Sequence, residues 1–543
     1  MNGRSPLVVL GALGGTALFL TALPACTASD TASKEERPEL ARFYQQKLTW
    51  SGCEGDDRLE GMECAKLTVP VDYTDPKSGT IAVAVGRYRS TAGPNAAAAP
   101  SGSAPPSGST ARIGSLVFNF GGPGMSGLTG LADAREDYRA LRAHYDLVSF
   151  DPRGVGRSAP VKCGTALDGG EDDTDQGDEL PTDAAGRAAL VKELTSIAAQ
   201  CAAGTGKVLP FVGTVNTSRD MDVLRQALGD DKLHYFGTSY GTRLGAVYAK
   251  QFPDRAGRLA LDAVDTLTEN SRASALTQAR AFQKALESFV DDCAGQGEKC
   301  PIGATEAAAV RTVDETVARI TEAPVESADG SPFTVRDLRT AISNSLYSAE
   351  LHPTLAEGIA RLHDSEDPAV LVEINRAFAG EDEEGNRDEA DNSDEAILAI
   401  NCADDPDRPA DPAAEIASLE EEFTEASSVF GTEMAREAVS CTGWPAGSDY
   451  IRKIEDTGGP KVLLIGTKGD PATPYQWTGE TAKRLGNAVV LTYEGEGHGA
   501  YSASTCVRAK TDAYLIEGKL PADGTSCPAE APEADARDAD DAG

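Results

Sequence analysis

The sequence is short of positive charge. Its 543 residues carry 50 Lys and Arg against 86 Asp and Glu, a formal net charge of −36. A face that neutralises phosphates needs clustered Lys and Arg, so this deficit excludes nucleic acid as a partner. It also argues against docking on an anionic membrane by charge. Acidity alone names no substrate and serves solubility. Long apolar runs are equally scarce: after the one near the N-terminus, none reaches the ~18 residues that a membrane helix requires. No C-x-x-C pair occurs, and no cysteine has a histidine at finger-like spacing, which excludes a structural zinc site and leaves no metal ligand set. Histidine is rare, with 5 in the chain, so candidates for a general base are few. Aromatic residues make up only 6%, yet 40% of the chain is hydrophobic, enough to bury a globular core.

What is present begins with a leader. Arg4 supplies a positive start, Pro6 to Leu23 an apolar stretch, and Leu23-Pro24-Ala25-Cys26 resembles a lipobox. Residues 1–25 therefore read as a signal peptide, with Cys26 as the lipid-bearing residue. The alternative is an ordinary secretory signal cut near Ala25. Either places the mature chain outside the cytoplasm, and membrane contact runs only through a lipid anchor. The chain has 11 cysteines. Setting Cys26 aside leaves Cys53, Cys64, Cys163, Cys201, Cys293, Cys300, Cys402, Cys441, Cys506 and Cys527. An even number in a secreted chain predicts disulfides. Many connectivities are open; pairing in sequential order is the simplest, because each loop then closes locally.

At about 150 residues per domain the length would give three or four domains. The pattern resolves differently. Short apolar runs such as Leu116–Phe120, Leu147–Phe150, Leu233–Phe236, Leu259–Leu261, Val462–Ile465 and Val489–Leu491 read as buried strands. Helical patterns alternate with them, which argues a mostly parallel sheet flanked by helices. The middle, 268–445, is helix-rich and reads as an inserted cap. The expected organisation is a tether over 26–48, the sheet domain over 49–267 and 446–527, the cap between them, and a disordered acidic tail over 528–543. Residues 91–111 and the acidic stretches 166–185 and Gly380–Glu395 read as loops.

Two motifs carry chemistry. Gly237-Thr238-Ser239-Tyr240-Gly241 matches G-x-S-x-G, a strained turn that lifts a serine above the sheet. It lies between a strand, Leu233–Phe236, and a helix over Gly241–Gln251, the context the motif requires. Phe118-Asn119-Phe120-Gly121-Gly122-Pro123-Gly124 ends a strand in glycines that let backbone N–H groups approach a developing oxyanion. Gly122 and Tyr240 are the expected donors. A third stretch, Phe150-Asp151-Pro152-Arg153-Gly154-Val155-Gly156-Arg157-Ser158, reads as a structural turn held by an Arg–Asp pair.

A serine on such a turn needs an acid and then a base further along the chain. Of the histidines, only His352, His363 and His498 follow Ser239. The first two lie in the helical insertion. His498, between Gly497 and Gly499 and just beyond a strand, is the candidate base, and His234 within the elbow strand is structural. Asp470, after the strand Val462–Ile465, is the candidate acid, with Asp265 as the competitor.

The GGPG loop at 121–124, FDPRGVGRS at 150–158, GTSYGT at 237–242, GDPATP at 469–474 and GHG at 497–499 together resemble the secreted tripeptidyl aminopeptidases of actinomycetes, α/β-hydrolase serine exopeptidases related to prolyl aminopeptidases. The resemblance implies the α/β-hydrolase fold with a helical cap, a catalytic Ser239–Asp470–His498 triad, no cofactor, and release of short peptides from a free N-terminus. Such an enzyme must bind an α-ammonium group, and Asp404 or Asp405, in a segment resembling part of the family's cap, is the candidate carboxylate. Two other readings stay open: an esterase acting on a small secreted compound, and an inactive, lipid-tethered binding protein on the same fold.

Overall fold

The computed structural model describes residues 38–53, 57–92, 112–165, 167, 180–381 and 390–530. The signal segment with Cys26, the loop over 93–111, most of 166–185, the acidic run 382–389 and the tail from 531 lie outside the described residues. From Glu39 onward the chain forms one unit.

The largest sheet among the described residues has ten strands in the order β1-β2-β3-β5-β4-β6-β7-β10-β11-β12. The strands are β1 (Ser51–Gly52), β2 (Glu63–Pro70), β3 (Thr80–Tyr88), β4 (Gly114–Asn119), β5 (Tyr145–Phe150), β6 (Leu233–Thr238), β7 (Ala256–Asp262), β10 (Val462–Gly469), β11 (Ala488–Glu496) and β12 (Thr525–Cys527). A short antiparallel hairpin, β8 (Val325–Glu326) with β9 (Pro332–Phe333), lies in the helical region. β1, β2 and β3 are antiparallel to their neighbours, and every pairing from β5 to β12 is parallel. The central strands β4 and β5 are buried along their full length, as expected of parallel strands covered on both faces.

Helices α1 (Ala41–Tyr44), α2 (Gly127–Asp133), α3 (Arg139–Arg142), α4 (Ala184–Thr205), α5 (Thr214–Leu228) and α6 (Tyr240–Gln251) precede the cap. The cap holds α7 (Ser271–Ala294), α8 (Glu306–Glu322), α9 (Val335–Leu346), α10 (His352–Ser365), α11 (Ala369–Phe378), α12 (Ser393–Asp404), α13 (Pro412–Ala426) and α14 (Gly431–Glu437). α15 (Gln476–Leu485) and α16 (Thr505–Glu517) complete the sheet domain. The apolar core of the cap also takes in Leu180, Leu190 and Leu194. The cap is thus built from two stretches of chain, because α4 offers its apolar side to α13 rather than to the sheet.

Three expectations about extent are corrected. The tether expected over 26–48 is already folded from residue 38: Phe43 is 2% exposed in the sheet core, and Tyr44 donates to Asp222 at 2.9 Å. The loop expected to run through Glu395 ends sooner. The Asn392 amide donates to the Gly154 and Val161 carbonyls at 2.9 and 3.0 Å and accepts from Gly156 N at 2.7 Å. The tail expected to be disordered from 528 is fixed through Glu530, which accepts from the Ser504 hydroxyl at 2.7 Å and from Thr505 N at 3.0 Å. These bonds at the start of α16 hold its carboxyl down at about 2.

The Arg–Asp pair of the 150–158 turn is real but not local. Arg153 donates to both oxygens of Asp220, on α5, at 2.7 Å, and to the Pro70 and Val71 carbonyls. Asp151 instead accepts from the Ser126 hydroxyl and from Arg157 N. The turn therefore joins β2, β5 and α5 beneath the cap. Five disulfides join Cys53 to Cys64, Cys163 to Cys201, Cys293 to Cys300, Cys402 to Cys441 and Cys506 to Cys527.

Candidate active site

Ser239 stands between β6 and α6 at φ 57° and ψ −127°, a conformation that side-chain-bearing residues rarely adopt. The elbow motif owes its glycines to close approach. A Cβ on Gly237 would sit 2.4 Å from the Gly241 carbonyl oxygen, and one on Gly241 would sit 2.5 Å from that of Asn119. The glycine loop after β4 passes over the same turn, with Gly121 so close that its own Cβ would lie 2.8 Å from that of Ser239. Gly121 N–H donates to Asn119 Oδ1 at 3.2 Å, and Gly122 lines the cavity over Ser239. Tyr240 is the first residue of α6, and its N–H has no carbonyl one turn earlier to bond.

Asp470 follows the end of β10 and is 3% exposed. It accepts from Ala472 N at 3.0 Å, Thr473 N at 2.8 Å and the Thr473 hydroxyl at 2.8 Å. His498 Nδ1 lies 2.9 and 3.1 Å from its two oxygens. This contact directs the other ring nitrogen, Nε2, away from the acid. His498 N–H donates to the Tyr347 carbonyl at 2.8 Å, and the Tyr347 ring meets the imidazole edge-on at 5.0 Å. Burial disfavours the imidazolium, but the charge and hydrogen bond of Asp470, aided by Asp262 and Asp265, outweigh it, and the ring titrates above the ordinary 6.5. The hydrogen bonds of His498 run to Asp470, Thr473 and Tyr347, and none among the described residues reaches the Ser239 hydroxyl. Serine hydrolases often close that contact only around substrate. The competitor acid, Asp265, instead pairs with Arg243 at 2.9 Å. His234 is structural, accepting from Arg258 N at 3.1 Å, and burial pushes its ring down to about 4.

Ser239 opens into a cavity of about 350 Å³ between sheet and cap. Gly122, Tyr347 and Thr473 line it, as do Asp265, Glu269, Asp404, Asp405, Glu433 and Glu437, against Arg243 and Arg452. Carboxylates thus outnumber cations. Asp404 and Asp405 reach the cavity but spend their oxygens internally. Asp404 accepts from Thr214 N at 2.9 Å and from the Thr214 hydroxyl, which is 2.7 Å from the Tyr240 hydroxyl. Burial raises its carboxyl to about 6, against the pull of Arg243. Asp405 accepts from Ser271 N at 2.9 Å and pairs with Arg452 at 2.7 Å. Glu437, at the end of α14, faces the cavity, and burial alone raises its carboxyl.

Sequence reasoning reached Ser239, Asp470, His498 and the glycine loop because each follows a strand in a recognisable turn. It did not reach Tyr347, Glu437 or Asp262. Asp262 ends β7 and offered the same strand-end signal as Asp470; Tyr347 and Glu437 follow helical patterns that nothing local sets apart.

Residues 427–527 match the family model described as TAP-like protein. Over 510 residues the chain is 32% identical to the serine protease Hip1 of Mycobacterium tuberculosis, covering 89% of this chain and 91% of that one. It is 30% identical over 529 residues to carboxylesterase B of the same species, covering 95% and 96%. It is 28% identical over 499 residues to the tripeptidyl aminopeptidase of Streptomyces lividans, covering 90% and 88%. Since that likeness runs through both halves of the sheet and the helices between them, the chain belongs to the tripeptidyl-aminopeptidase-like family of α/β-hydrolase-fold serine hydrolases.

Proposed function

We propose that this serine hydrolase is an extracellular aminopeptidase that releases short peptides, tripeptides among them, from free N-termini. The observation that carries this reading is the cavity over Ser239, where carboxylates outnumber cations, beside an Asp470–His498 contact at 2.9 Å. His498 Nε2 takes the Ser239 proton as the hydroxyl oxygen bonds to the scissile carbonyl carbon. The oxyanion is received by Gly122 and Tyr240 N–H. His498 then protonates the departing amine, the C–N bond breaks, and water repeats the cycle on the acyl-enzyme. Asp470 fixes the tautomer and stabilises the imidazolium. The ammonium of the substrate enters a field of carboxylates to which Asp404 and Asp405 contribute charge, while Glu437 offers oxygens free to accept its hydrogens. Ten cysteines joined in five pairs fit an oxidising compartment. No described helix is long and apolar enough to cross a membrane, and lipid on Cys26 is the proposed anchor.

The relative named carboxylesterase B favours a second reading, an esterase using the same three residues. A panel of aminoacyl, dipeptidyl and tripeptidyl chromogenic amides beside a p-nitrophenyl ester separates the two. Ser239→Ala is expected to lower kcat on the order of 10⁶-fold with little change in thermal unfolding. Retained turnover in that variant refutes the triad, and turnover of the ester alone refutes the peptidase.

A further inference from the structure

One buried carboxylate stands next to the proposed triad without being part of it. Asp262 ends β7 and is 2% exposed. Its side chain accepts from Ala500 N at 3.0 Å and Tyr501 N at 2.9 Å, two and three residues beyond His498. Its backbone oxygen accepts from Ser239 N at 3.0 Å. One residue therefore fastens both the turn of the nucleophile and the loop of the base. No Lys or Arg pairs with it among the described residues. Buried carboxylates are normally matched by a cation, because desolvating an unpaired charge is costly. The group beside Asp262 able to become one is His498, whose positive charge favours the Asp262 carboxylate as Asp262 favours the imidazolium. Burial raises the Asp262 carboxyl to about 6, and the charge of Asp470, which faces the same ring, opposes its ionisation further. Asp265 also favours the imidazolium, and the charge of Asp262 acts on the Tyr138 hydroxyl. From the cap, Tyr347 reaches the imidazole with Glu433 and Glu437 near its hydroxyl.

We propose that Asp262 is a positioning residue for the base: its carboxylate sets the His498 loop against the Ser239 turn, and its charge supports the imidazolium formed when Ser239 is deprotonated. The inference rests on the triad reading above. During the reaction Asp262 exchanges no proton and forms no bond. Its charge matters most while the tetrahedral intermediate and the imidazolium coexist, so the effect falls on kcat rather than on substrate binding.

The test compares wild type with Asp262→Asn, which keeps an acceptor oxygen and removes the charge. The expected result is a 10- to 100-fold lower kcat, below the roughly 10²–10⁴-fold that a general base itself contributes, with KM little changed. The acid limb of kcat/KM moves to lower pH by about half a unit or more. An unmoved acid limb, with only the melting temperature reduced, overturns the proposal and leaves Asp262 a loop fastener. Should Asp262→Asn not fold, infrared titration of buried carboxyls with and without His498→Gln, both in an Asp470→Asn background that removes the other carboxyl on the ring, decides. A protonated carboxyl band persisting to higher pH in His498→Gln supports the coupling, and identical titrations overturn it. Activity surviving in Ser239→Ala would signal failure of the triad itself, a separate outcome.

Discussion

His498, the proposed base, has two ring nitrogens in different surroundings. Nδ1 is held by Asp470 at 2.9 Å, and the side chain is 10% exposed. The pH dependence follows from the sign of its shift. A general base works when neutral, and His498 keeps its proton at pH values above the ordinary 6.5. Acid inactivation should therefore begin earlier on the way down than for a free imidazole. The acid limb of kcat/KM against pH is expected above 6.5, and in Asp470→Asn it should fall while kcat drops about 10⁴-fold. A limb well below 6.5 in the wild type would contradict the ion pair. The sequence made His498 legible because only 5 histidines exist and only one lies between glycines after a late strand. It left Asp262 unread because its partners, Ala500 and Tyr501, follow β11 and are brought to it by the pairing of β7 with β10 and of β10 with β11.

At the scale of elements, α12 shows how a helix is fixed from outside itself. Its sequence begins in an acidic run that promises a loop, and local patterning carries no sign of an anchor. The anchor is Asn392, whose amide satisfies two carbonyls and one N–H of the Gly154–Val161 turn. The other end of α12 delivers Asp404 to Thr214 and Cys402 to Cys441. Asn392→Ala strands these backbone groups beneath the cap, at a cost of about 1–3 kcal/mol. Denaturant unfolding should record that loss. KM should rise, because Asn401 and Asp404 line the cavity from the same helix, while labelling of Ser239 by a small fluorophosphonate stays near wild type. Unchanged unfolding would mean that Asn392 anchors nothing. The strands were the easier elements to read, since β4 and β5 are short, fully buried and centred on the apolar runs Leu116-Val117-Phe118 and Leu147-Val148.

For the molecule as a whole, the charge of −36 takes on a local meaning. Part of it lies in the acidic stretches at 382–389 and 531–543, outside the described residues. Part of it lines the cavity, where Arg243 and Arg452 are committed to Asp265 and Asp405 and carboxylates still outnumber cations. Such a site attracts cations, and dissolved salt screens that attraction beyond about 8–10 Å at moderate ionic strength. Raising salt from about 50 to 500 mM should therefore raise KM for a peptide with a free amine several-fold and leave KM for a neutral ester nearly constant. Equal responses would remove the cavity's charge from substrate selection. The sequence by itself determined the alternation of strands and helices in the sheet domain, the elbow turn at Ser239, the candidate acid and base that follow it and the cysteine count, because each of these is written in neighbouring residues. Only the tertiary structure decided that α4 joins the cap, that Arg153 pairs with Asp220, that Asp404 and Asp405 are engaged internally and that Tyr347 and Asp262 close around His498. Those contacts join residues tens to hundreds of positions apart, and their energy lies in satisfying buried charges and backbone groups that no local pattern records.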